Sequence, residues 1–343
     1  MAKETDIVFA LLRSALDGQP PCIDTRSVET GTWWRLFRLL QTNHVTALTA
    51  ETVAALEVPR EVKIPWLAES DKAERWHCYQ KEVQQDIVDT MARHGIETLV
   101  LKGTHTAQYY PQPEQREFGD LDLYFYDRHK EADRVAHEVL KVVVSNDSHH
   151  HSKYDYRGVT VESHYDFLNR HYPPSNRRYE AVLKGLAPSA TFEILFQLRH
   201  LAGHFAASRI TLRDLVDWAL TCRALRDKAD WPLVQTTAAQ YGMEPFARLL
   251  CSIAERRFGI QPPESFKGTP VDSEEVDRME HDILYGTVND LPVDGPARLG
   301  WKIRRWKALG WKRRLVYNDP DFSLWLASLT SHAAKPHSIL HKM

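Results

Sequence analysis

Two aspartates separated by one leucine, Asp120 and Asp122, are the residues of this 343-residue chain best placed by type and spacing to do chemistry. They open the run Asp-Leu-Asp-Leu-Tyr-Phe-Tyr, which reads as a strand. Alternation there puts Asp120, Asp122, Tyr124 and Tyr126 on one face, and Leu121, Leu123 and Phe125 on the other. Like charges held side by side over an apolar core repel, and a divalent cation bound through oxygen offsets that repulsion. Mg²⁺ is commonly held by one or two carboxylates together with substrate phosphates. A solvated strand edge, with both acids meeting water, fits the same pair, and the spacing alone leaves both readings open.

The surrounding residues carry a resemblance. Leu101-Lys102-Gly103, then Tyr109-Tyr110-Pro111, Arg116 and Gly119-Asp120-Leu121-Asp122-Leu123 occur in an order that resembles the uncharacterised nucleotidyltransferase family of the DNA-polymerase-beta-like superfamily. Over residues 159–165 the chain reads Val-Thr-Val-Glu-Ser-His-Tyr, similar to the family's Glu-x-His-aromatic strand, which makes Glu162 the expected third carboxylate. Residues 212–218, Leu-Arg-Asp-Leu-Val-Asp-Trp, resemble the helix with which the family closes over its nucleotide. The likeness runs over residues 95–220. One departure is Gly103-Thr104 where many superfamily members have Gly-Ser; a threonine hydroxyl can still donate to phosphate.

What the resemblance implies is a nucleotidyltransferase that moves an NMP group from a nucleoside triphosphate to a hydroxyl or phosphate of an acceptor, with release of pyrophosphate. Asp120, Asp122 and Glu162 would be its catalytic, metal-holding set for Mg²⁺ or Mn²⁺, with Glu162 alternatively the base toward the acceptor. Two ions a few ångströms apart stabilise both the attacking and the leaving oxygen of an in-line displacement. Lys102, Gly103, Thr104, Arg116, Gly119 and Arg213 are the expected phosphate and nucleotide contacts. His164 and Asp217 are further candidates, His164 beside the metal and Asp217 toward phosphate or ribose. For Arg213 and Asp217 an ion pair on a helix surface fits equally well. Transfer to RNA or to a protein, or nucleotide binding without catalysis, are the alternatives.

The elements that must position these groups make an α+β fold, a small mixed β-sheet nucleotidyltransferase core flanked by N-terminal and C-terminal helical regions. Residues 1–95 read as the N-terminal helical region, 96–172 as the α/β core, and 173–343 as a C-terminal helical domain with a basic, Trp-rich tail. In the first, Trp76, Tyr79, Val83, Ile87 and Met91 recur every three or four residues up to the stop at Gly95, a stripe expected in the core. In the second, Asp127 to Leu140 reads as a helix packed back on the sheet. Val142-Val143-Val144 follows, then a polar turn from Asn146 to Ser152, then a strand from Val159 on which Thr160, Glu162, His164 and Asp166 share a face. Pro173-Pro174-Ser175-Asn176 marks the next boundary, and helices follow over Phe192 to Phe205 and Leu212 to Leu220.

Other chemistry-bearing residues are weaker signals. His149-His150-His151 reads as an exposed turn, since three consecutive side chains cannot all face one site. His200 and His204 have zinc-ligand spacing but lack the glutamate of a metalloprotease motif, and read as lining the cleft or packing in the core. Residues 264–294 hold nine acidic and two basic side chains, a solvated helix and loop. From Pro296 to Arg314 the balance inverts, with Trp301, Trp306 and Trp311 among eight basic residues. That run reads as an amphipathic helix docked by its tryptophans, with contact to single-stranded RNA as the alternative.

Composition bounds the rest. A net charge of −2 excludes a surface built throughout for nucleic acid, and GxxxxGK[ST] and GxGxxG are both absent. Four scattered cysteines form no CxxC pattern and read as reduced thiols. An acidic N-terminus without a long apolar run reads as a cytoplasmic, bacterial-style protein with no membrane insertion.

Overall fold

The computed structural model describes residues 4–146, 148–268, 271–286 and 297–334. Four helices come first: α1 (Glu4–Asp17), α2 (Thr30–Thr42), α3 (Thr46–Ala55) and the long α4 (Arg60–Arg93). The α/β part follows with β1 (Leu99–Val100), the one-turn α5 (Thr104–Ala107), β2 (Asp120–Tyr124), α6 (His129–Glu138), β3 (His151–Tyr156) and β4 (Val159–His164). Helices make the later described elements: α7 (Asn176–Leu186), α8 (Ala190–Ala207), α9 (Leu212–Ala224), α10 (Trp231–Gln240), α11 (Glu244–Phe258), α12 (Ser273–Tyr285), α13 (Ala297–Ala308), α14 (Gly310–Val316) and α15 (Asp321–Ala334). This is the expected α+β fold, a small mixed sheet among helices.

The sheet has four strands in the order β1-β2-β4-β3. β2 and β4 run parallel with Asp122 opposite Glu162 and Tyr124 opposite His164, while β3 lies antiparallel to β4 with His151 opposite His164 and Lys153 opposite Glu162. The tight turn between β3 and β4 needs two left-handed residues, and Arg157 (φ 54°) and Gly158 (φ 77°) supply them.

Each face of the sheet has its own partner. Leu121, Leu123, Phe125, Tyr154, Val159 and Val161 bury against Val83, Ile87 and Met91 of α4 and Ala132, Val135 and Ala136 of α6. Asp133 of α6 fixes this packing by accepting from the hydroxyls of Ser152 (2.7 Å) and Ser163 (2.8 Å). The opposite face carries the carboxylates and histidines and looks toward α8 and α9. A second, larger core joins α1, α2 and α3 to α8, α9, α11 and α12, and it also takes in Val62 and Trp66 from the first half of α4. The long helix therefore ties both cores together. Its apolar stripe is buried at Val83, Ile87 and Met91, but Trp76, expected with them, is 41% exposed and outside that core.

One further expectation is corrected. A strand begins at His151, inside the stretch expected as a polar turn, so the histidine run lies at a strand end with His149 and His151 buried. The tail docks by its aromatics as expected: Trp301 and Trp311 are buried, and Arg313 stacks 3.6 Å from the Trp306 ring centre. Lys312 is buried rather than solvated, its ammonium 2.5 Å from Asp282 of the acidic helix α12. Residues 287–294 of the acidic run and Pro296 lie outside the described residues.

Candidate active site

The loop between β1 and β2 is shaped from two sides. On one side α4 reaches it through three side chains: His77 Nδ1 lies 3.1 Å from the Arg116 carbonyl, Gln80 donates to the Gly119 carbonyl (3.2 Å), and Gln84 accepts from the Thr104 hydroxyl (2.7 Å). On the other, Arg116 donates Nε and Nη2 to Asp217 of α9 at 2.8 and 2.7 Å, and Nη1 to the Gly103 carbonyl at 3.2 Å. Tyr110 donates to the same Asp217 at 2.6 Å. Gly103 turns the chain with φ 64°, and a Cβ there would meet the Phe118 ring at 3.3 Å.

Between this loop, the polar face of the sheet and helices α8 and α9 lies a cleft. Lys102, Gly103, Arg116, Gly119, Asp120, Asp122, His200, Arg213, Asp214 and Asp217 line it. Thr104 does not, since its hydroxyl is turned to α4. Lys102 is the hub of the floor: its ammonium lies 3.1 Å from Asp122 Oδ1 and 3.4 Å from His200 Nε2. On the far wall Arg213 donates to the Glu117 carbonyl and to Asp214, both at 3.2 Å, and its Nε is buried without a hydrogen-bond partner among the described residues.

Behind Asp122 the parallel register brings up Glu162 and His164. His164 Nε2 lies 3.1 Å from Asp122 Oδ1 and 3.7 Å from Glu162 Oε2. On the next strand His151 Nε2 and Lys153 Nζ approach Glu162 Oε1 at 3.5 and 3.7 Å. The structure thus gathers Asp122, Glu162 and His164, with Asp120 on the cleft side of the same strand. Sequence reasoning missed His150, His151, Lys153 and the contact of His200 with Lys102. The Arg-Gly turn between two alternating runs was the signal for β3, and with it for the histidines.

The electrostatics divide the two buried carboxylates. Burial alone would raise Asp122, but the Lys102 ammonium and the His164 hydrogen bond outweigh it and hold the carboxyl well below its ordinary range. Burial, then repulsion from Asp122 and Asp120, pushes Glu162 up. Burial pulls Lys102 down, yet Asp122, Asp120 and Glu162 together raise it above its usual value. Desolvation, helped by neighbouring His164, lowers His150 far below normal and His151 to about 3, and desolvation with nearby Lys102 does the same to His200, so these three imidazoles are neutral.

One ligand atom each from Asp122, Glu162 and His164 lies within 4.8 Å of the others. Two carboxylate oxygens and an imidazole nitrogen suit a divalent cation, while Asp120, on the same face of β2, is not part of that group. Among the described residues no helix is long and apolar enough to cross a membrane. No curated protein and no solved structure matches the chain. A family model described as an uncharacterised nucleotidyltransferase matches residues 29–259, two thirds of the chain and nearly all the elements that build the cleft.

Proposed function

The chain belongs to the uncharacterised nucleotidyltransferase family, and from that premise we propose that it transfers an NMP group from a nucleoside triphosphate to a hydroxyl or phosphate of an acceptor, releasing pyrophosphate. The observation that carries this reading is the parallel register of β2 and β4, with Asp122 opposite Glu162 and Asp120 one step along the same face toward the cleft. Asp120, Asp122 and Glu162 would hold Mg²⁺, or Mn²⁺ in its place, and the ion would supply charge screening for the triphosphate and for the oxygens of the displacement.

The chain's own residues do the rest. Lys102 keeps a fixed positive charge on the floor, where charge grows on the transferred phosphoryl group. Gly103 lets the backbone approach phosphate closely, and Arg213 offers a cation from the opposite wall. His164 places an imidazole nitrogen 3.1 Å from Asp122, at the edge of the carboxylate pair. Arg116 and Asp217 are spent on each other, so their part is to hold the loop at its working distance and not to meet the nucleotide.

Calorimetric titration of each nucleoside triphosphate with Mg²⁺ tests the reading. At least one should bind in a metal-dependent way to the wild type, and Asp120→Asn/Asp122→Asn should weaken it by tenfold or more. Binding equal in the two proteins, or none with any nucleotide, would overturn it.

A further inference from the structure

We propose that His150, His151 and His164, with Glu162 as fourth ligand, form a second and nitrogen-rich cation site that takes a transition-metal ion of the Zn²⁺ class. One ligand nitrogen of each of the three rings lies within 4.8 Å of the others, and the ring centres are 4.6, 5.1 and 5.4 Å apart. Zinc–nitrogen bonds of about 2.0–2.1 Å require closer nitrogens than that bound, so the rings close in on the ion when it binds.

The backbone fixes this grouping. His151 stands opposite His164 in the antiparallel β3–β4 pair, so the two rings share a face. The His150 carbonyl accepts from the amides of Tyr165 (3.0 Å) and Asp166 (3.2 Å), which holds the third ring at the end of the same pair. His151 and His164 are buried, and His150 is half-buried and leaves access from outside.

A second observation points to a cation. His164 Nδ1 lies 3.3 Å from the Asp166 carbonyl while its Nε2 lies 3.1 Å from Asp122 and 3.7 Å from Glu162, so both nitrogens face oxygen acceptors. Ligation of a metal through Nε2 leaves the Nδ1 side to the Asp166 carbonyl, the second contact that orients a metal-bound histidine. Glu162 is the carboxylate that reaches two of the rings, at 3.5 Å from His151 and 3.7 Å from His164. Three imidazole nitrogens with one carboxylate select Zn²⁺ or Co²⁺ over Mg²⁺, whose preference is for oxygen and water. The two ions would stand on either side of the shared Glu162, the hard ion on the Asp120 and Asp122 side and the borderline one on the β3 side.

Co²⁺ is the probe, because its visible absorption reports nitrogen ligation without any nucleotide or turnover. The metal-free full chain should bind one equivalent of Co²⁺ with strong visible absorption, lose it to one equivalent of Zn²⁺, and keep it in a large excess of Mg²⁺. His150→Ala/His151→Ala should weaken Co²⁺ binding about tenfold or more. Asp120→Asn should leave the absorption intact even where nucleotide binding fails, so the two proposals can fail separately. If circular dichroism shows the double variant unfolded, His150→Gln alone is read, with the same weakening expected. An absent spectrum in the wild type, displacement by Mg²⁺, or undiminished affinity in the folded histidine variant would overturn the proposal.

Discussion

Asp122 and Glu162 face each other across one strand pair yet are driven in opposite directions, and the difference lies in what each one touches. Asp122 has an ammonium and an imidazole, each at 3.1 Å. Glu162 has only longer contacts, His151 at 3.5 Å and His164 and the half-exposed Lys153 each at 3.7 Å, and its burial beside Asp122 and Asp120 outweighs them. A carboxyl whose folded pKa lies above its unfolded value carries a penalty that appears as pH rises past about 4 and is relieved on protonation. Glu162→Gln removes that penalty, so in chelator-treated protein the variant should melt about 1–3 °C above the wild type at pH 7.5, with the gap closing toward pH 4. Calorimetric melts across that range check it, and a variant less stable at pH 7.5 would show that Glu162 is better compensated than its surroundings indicate. Asp122, Glu162 and His164 were legible in the sequence because alternation along a strand fixes which side chains share a face. The partners on β3 were not, since a histidine run carries no statement of which strand it will pair with.

At the scale of elements the decisive object is the loop between β1 and β2, held to α9 by the Arg116–Asp217 pair. Both side chains are about 5% exposed, and the fork of two hydrogen bonds compensates their desolvation. Removing one partner of a buried pair strands the other's charge and costs about 3–5 kcal/mol. Arg116→Ala should lose that much in urea unfolding and weaken nucleotide binding with it. Arg116→Lys should recover only part, because an ammonium cannot make both bonds. A loss below about 1 kcal/mol in the alanine variant would mean that the loop is held mainly by α4. The sequence marks Arg116 and Asp217 as charged groups near a phosphate site. Their separation of 101 positions hides that they satisfy each other.

Across the whole molecule, the helices before and after the sheet close into one core, and the tail is fastened to it at Gly242. There φ is 79°, and a Cβ would stand 2.5 Å from the Asn318 amide nitrogen and 2.6 Å from the Tyr317 carbonyl carbon. Asn318 in turn donates to the carbonyls of Ala239 and Gln240 at 3.1 and 3.2 Å. Gly242→Ala should therefore cost about 2 kcal/mol or more and open the chain after residue 316 to limited proteolysis. Unchanged stability and an unchanged digestion pattern would show that the tail is anchored elsewhere. By itself the sequence determined the α+β class, the strand carrying Asp120 and Asp122, the strand carrying Glu162 and His164, and the helices α8 and α9, because periodicity and alternation are local properties. Only the tertiary structure decided that Asp122 meets Glu162 in parallel register, that Arg116 is tied to Asp217, that Lys312 is buried on Asp282, and that the histidine run joins the site. Each of these is a pairing between distant segments, set by which faces bury against each other and by the need of every buried charge for a partner.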